Sequence, residues 1–167
     1  MPHQLVQRLR FTRNEFRRGL EGLTADDARR RLTPMNCISW IIGHMASQEQ
    51  RFWLNTRGQN PIPELNTQFA SGSAASTSPL AEVWEGWRAT TTAADPWLDT
   101  LDSAQLALPV MVNGESIGAT YGSLLLRTTY HYWYHTGESL AIRQMLGHSG
   151  LPDFVGDIDG EAPYAPE

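Results

Sequence analysis

The stretch Tyr130-His-Tyr-Trp-Tyr-His-Thr-Gly-Glu138 carries two histidines four residues apart, His131 and His135. A helix turns once in about 3.6 residues, so both imidazoles project from one face, with Glu138 on that face one turn further on. The surrounding pattern supports a helix. Leu124, Leu125, Thr128, Tyr132, Leu140, Ile142 and Met145 recur at helical spacing, and Gly147 supplies a stop, so a helix is predicted over residues 119–147. Tyr130, Tyr132, Trp133 and Tyr134 spread around the circumference, so some of them reach a pocket wall or a subunit interface.

Working outward, a third imidazole stands in Ser39-Trp-Ile-Ile-Gly-His44, inside an apolar helical run. Two histidines on successive turns, joined by a third from another helix, make a three-nitrogen site for a divalent ion with an open position. A shared ion requires the three rings to converge, and separations beyond about 7 Å exclude it. Gly43 beside His44 permits close backbone approach by another helix. Glu138 has four readings: a fourth ligand, an acceptor for an imidazole N–H, a proton carrier, or an ion-pair partner of Arg127 or Arg143. Gln48, four residues past His44, shares its face and is placed to orient a ligand or a water. Glu49, five residues past, turns away.

Other candidates read as structural. Cys37, on nearly the face of His44, is a packed side chain before it is a ligand or nucleophile. His148 follows Gly147 and, as a cation, suits the negative end of a helix dipole. His3 sits at a fraying terminus.

Three more long helices are predicted. Leu5, Leu9, Thr12, Phe16 and Leu20 define the first, over 3–21. Thr24 caps a short helical turn. Asn36 is the candidate N-cap of the second, over 37–57, with Gly58 as its stop. Residues 58–78 read as a loop. Ser78-Pro79 starts the third, and Asp95-Pro96 is expected to kink or restart it. Asn113-Gly114 between β-capable flanks signals a hairpin. Residues 148–167 read as an acidic extended tail, with Phe154 and Val155 packing back. The fold class is all-α: one four-helix-bundle domain over 1–167 with a small hairpin insertion before the last long helix.

Composition narrows the chemistry. Thirteen basic residues, all arginine, face eighteen acidic ones, for a net charge of -5. Without lysine there is no Schiff-base chemistry, and the net charge argues against nucleic-acid binding. The single cysteine precludes an intrachain disulfide and fits a reducing cytoplasm. No signal-peptide pattern and no membrane-length apolar run is present. Phosphate-loop and Gly-x-Ser-x-Gly motifs are absent, and Tyr132 stands where a His-Glu-x-x-His metalloprotease needs glutamate.

Asn36-x-Ile-Ser-Trp-Ile-Ile-Gly-His44-Met-Ala and His131-Tyr-Trp-Tyr-His135-Thr-Gly-Glu138, followed by Ala-Ile-Arg-Gln-Met-Leu-Gly-His148, resemble the DinB/YfiT-like superfamily. The resemblance runs from the first helix to about His148. It implies an up-down-down-up four-helix bundle, a homodimer, and a metal triad at His44, His131 and His135 holding zinc or nickel. It also implies a small-molecule substrate and metal- and thiol-dependent transferase or isomerase activity with mycothiol, bacillithiol or glutathione. On that basis the expected function is a metal-dependent enzyme acting through a metal-bound thiol or water, with Glu138 or Gln48 steering the group. A non-catalytic small-molecule-binding or structural dimeric bundle is the alternative.

Overall fold

The computed structural model describes residues 2–165. The chain is mostly helical, with one two-stranded antiparallel sheet, and it divides into two compact units.

The first unit comprises residues 2–21, 96–140 and 149–165. Helix α1 (Gln4–Gly19) buries Val6, Leu9 and Phe16 completely. His3, expected to fray, instead caps this helix: its Nδ1 accepts the Leu5 N–H at 3.1 Å, satisfying one of the free donors of the first turn. The Phe16 ring meets the edge of the buried Tyr132 ring at 5.4 Å.

After the short helix α6 (Ser103–Leu106), capped by Asp102, the expected hairpin forms between β1 (Pro109–Val112) and β2 (Glu115–Thr120), with Val112 opposite Glu115. Asn113 and Gly114 both take positive φ, 52° and 84°. That is what a two-residue turn matched to strand twist demands of those residue types.

The tail departs from the expected extended segment, because residues Ile158–Glu161 form a single helical turn. Phe154 does pack back, 6.1 Å from the Trp133 ring and under the Arg18 guanidinium at 4.8 Å. Val155 does not; it is half exposed. Two further bonds tie this segment to α1: Arg18 donates to the Asp153 carbonyl, and Glu15 accepts the Gly156 N–H at 2.8 Å. The Arg18 guanidinium, with that N–H, holds the Glu15 carboxyl below the usual carboxylate range.

The second unit comprises residues 22–95 and 141–148. Thr24 caps α2 (Ala25–Arg29) as expected, accepting from the Asp27 N–H. The cap of α3 (Ile38–Trp53) is Cys37 and not Asn36, and it makes no side-chain capping bond. Its thiol is fully buried between the Ser39 hydroxyl and the Ser76 carbonyl, both at 3.2 Å, which is the packed role expected of it. Helix α3 ends four residues earlier than the pattern predicts. A 3₁₀ turn over Asn55–Arg57 follows it, and Gly58 at φ 75° closes that turn.

The predicted loop over 58–78 contains a helix, α4 (Pro63–Gln68). Its entry is fixed by Gln50, a fully buried side chain that donates to the Ile62 carbonyl at 2.9 Å and accepts the Ile62 N–H at 3.1 Å. A glutamine amide thus stands in for a β-type partner and satisfies both polar groups of one half-buried backbone residue. Helix α5 (Leu80–Leu98) runs through Pro96 without the expected restart. The carbonyl deprived of a donor belongs to Thr92, an exposed residue, so water can serve it.

The long helix α7 (Tyr121–Met145) ends as predicted. Gly147 adopts φ 88°, its N–H bonds the Gln144 carbonyl, and the His148 N–H bonds the Arg143 carbonyl. This is the paired C-terminal bonding that glycine permits. The His148 ring does not take the expected cation role: its Nδ1 accepts from Arg143 Nε at 3.0 Å, which an imidazolium cannot do, while its Nε2 lies 3.3 Å from Asp27.

Candidate metal centre

Helix α7 brings His131 and His135 together as their spacing predicts. Their Nε2 atoms stand 2.9 Å apart. Two nitrogens bound tetrahedrally to one ion at 2.0–2.1 Å lie roughly 3.3 Å from each other, so the pair is close to a ligating separation.

Glu138 makes the contact of one of its four readings, the acceptor for an imidazole N–H. Its Oε2 lies 2.7 Å from His135 Nδ1, an i,i+3 contact along the helix. A carboxylate only accepts, so Nδ1 carries the proton and Nε2 keeps its lone pair. Glu138 is therefore an orienting acceptor for an imidazole N–H. The suggested Arg143 partner bonds His148 instead, and burial lowers the pKa of that guanidinium.

His44 is buried on α3 and obtains the same tautomer by a different route. Its Nδ1 lies 2.7 Å from the carbonyl oxygen of Phe69, the residue that ends α4. A carbonyl cannot donate, so this ring also protonates at Nδ1 and leaves Nε2 available. Trp40, one turn earlier, stacks on the imidazole at 4.9 Å with the planes 11° apart, fixing its rotation. Gly43 explains why α4 can come so near. A Cβ there would fall 2.6 Å from the Phe69 ring, so only glycine admits the aromatic side chain whose own carbonyl holds His44. The close approach at Gly43 is made by an aromatic side chain and not by the helix backbone expected there.

A cavity of about 360 Å³ opens beside His44, lined by Ser47, Gln48, Arg51, Phe52, Asn55 and residues near the end of α4. Gln48 thus faces the space next to His44, as its spacing implies. Each of His44, His131 and His135 offers one ring nitrogen, and these atoms all lie within 4.8 Å of one another. That is inside the limit set for a shared ion, and the donor set, three imidazoles with two rings held in the Nε2-available form, fits a divalent transition metal.

A family model described as Mycothiol-S-transferase matches residues 4–147. The chain belongs to this family. Mycothiol S-transferases are DinB/YfiT-like, in agreement with the resemblance carried by the Gly-His of α3 and the His-x-x-x-His of α7. No curated protein matches the chain.

Phe69 and Gln50 are the residues that sequence reasoning missed. Gly43 was the available signal, since a glycine within a continuous apolar helix marks a position where something approaches closely.

Proposed function

We propose that this chain is a metal-dependent thiol S-transferase, working as a cytoplasmic homodimer built from one four-helix-bundle domain, up-down-down-up in arrangement. His44, His131 and His135 would hold the ion, zinc or nickel, and the sulfur donor is a low-molecular-weight thiol of the mycothiol kind. A divalent ion held by three neutral imidazoles keeps its full charge and favours the deprotonated form of a thiol or water beside it. The chain's own residues prepare that site. Glu138 and the Phe69 carbonyl lock two rings in the tautomer that presents Nε2. Gln48, on the cavity wall, orients what enters beside His44.

The convergence of the three ring nitrogens carries this reading, and the family match supports sulfur transfer as the reaction class. A closed structural site takes four protein ligands, whereas among the described residues this cluster has three members and Glu138 contacts an imidazole. Exposed Tyr130 and Tyr134 on α7 support a face for the second subunit. Among the described residues no helix is long and apolar enough to cross a membrane.

The test is conjugate formation between mycothiol and a halomethyl bimane by untagged, metal-loaded protein. Wild type is expected to exceed the uncatalysed rate, and His135→Ala to fall back to it. A wild-type rate equal to background with mycothiol, bacillithiol and glutathione alike would overturn the proposal.

A further inference from the structure

The cavity beside His44 has a chemical character of its own. One stripe of α3 builds its wall: His44, Ser47, Gln48, Arg51 and Phe52 recur at helical spacing, and Asn55 of the following 3₁₀ turn extends it. Asn66, Ala70 and Ser71 face them from the segment around α4. Amide and hydroxyl groups therefore dominate the lining, and among the described residues Arg51 is its one guanidinium and no carboxylate belongs to it. The volume lies within the range of small-ligand pockets.

Arg10, Arg18 and Arg30 pair with Asp99, Glu15 and Asp27, and Arg29 is bonded to the Thr77 carbonyl. Arg51, like Arg8, Arg17, Arg31, Arg88 and Arg127, makes no ion pair among the described residues, but of these it alone lines the cavity. It sits seven residues beyond His44, about 10 Å along the axis on the same face.

We propose that this cavity binds a small hydroxylated carboxylate, with Arg51 as the residue that selects its charge. The guanidinium fork matches a carboxylate in two parallel hydrogen bonds. The amides and hydroxyls between Arg51 and His44 hydrogen-bond the ligand's hydroxyl groups. A substrate held this way points its uncharged end at His44 and keeps its anion two helical turns away. The proposal rests on the S-transferase reading only in taking the His44 end as the reactive one. The preference for an anion follows from the cavity alone.

Glucuronate and glucuronamide share hydroxyls and size and differ in charge, so they are the probes. Dissociation constants are measured by chemical-shift titration of the full chain as purified, in wild type, Arg51→Gln, Arg51→Lys and Arg88→Gln, a control at an exposed α5 arginine. Wild type is expected to favour glucuronate roughly 5- to 10-fold, the scale of a partly exposed charged hydrogen-bond pair. Arg51→Gln should erase the preference by weakening glucuronate alone, Arg51→Lys should keep part of it, and Arg88→Gln all of it. Equal binding of the two probes by wild type, or a preference that survives Arg51→Gln, overturns the proposal. Because no thiol takes part, a wild-type preference for glucuronate that Arg51→Gln erases leaves this inference standing even in a protein that transfers no sulfur, and only the catalytic reading is then removed.

Discussion

His135 and His44 present the same nitrogen but are held in opposite ways. The outer nitrogen of His135 meets a carboxylate three residues away on its own helix. That of His44 meets a backbone carbonyl twenty-five residues away, delivered by a short helix and seated against a glycine. The first arrangement is local and charged, so it forms whenever α7 forms. The second is distant and neutral, and it exists only if the α3–α4 packing is correct. One half of the candidate centre therefore depends on helix geometry, and the other on tertiary structure.

Gly43→Ala strains that difference most. The added methyl must displace the Phe69 ring, and overpacking typically costs about 1–3 kcal/mol, partly offset by roughly 1 kcal/mol of helix propensity. A net loss of up to about 2 kcal/mol is expected in denaturant unfolding, together with weaker metal binding, because the Phe69 carbonyl moves with its ring. Unchanged stability and metal content would mean that His44 does not depend on this packing.

Glu138→Gln should act on the other half. Glutamine can still accept the His135 N–H but without charge. Metal affinity is expected to fall roughly 10-fold, the lower end for such supporting groups, with thermal stability nearly unchanged. Competition with a chelator measures it, and an affinity equal to wild type would show that the carboxylate's charge is irrelevant.

The smallest effect concerns the tail, outside both halves. Glu15 has its pKa depressed by Arg18 and the Gly156 N–H. Its contribution is therefore present above the ordinary carboxylate range and is lost as pH falls through the depressed folded value. Glu15→Gln should lose about 1 kcal/mol at neutral pH and flatten the stability profile in acid. A mutant whose acid profile superimposes on that of wild type would contradict this.

The contrast also explains what could be read from the sequence. The His131–His135 pair, the role open to Glu138, the Asn113-Gly114 turn and the Gly147 stop all rest on contacts within a few residues, where spacing is geometry. Helix α4 was hidden inside a loop rich in serine, threonine, glycine and alanine. Its position is set by Gln50 clamping Ile62, a contact twelve residues apart that no periodicity encodes. The cap at Cys37 escaped because it lacks the side-chain bond that makes Asn36 the better candidate. Pro96 escaped because a solvent-facing carbonyl tolerates losing its donor.

The most direct test of the three-histidine centre is metal stoichiometry by mass spectrometry on untagged protein, wild type beside His44→Ala, His131→Ala and His135→Ala. The expected result is about one divalent ion per chain in wild type, with a large loss in each variant while helical content is retained. Wild type with negligible metal after reconstitution, or variants that retain it equally, would contradict the centre.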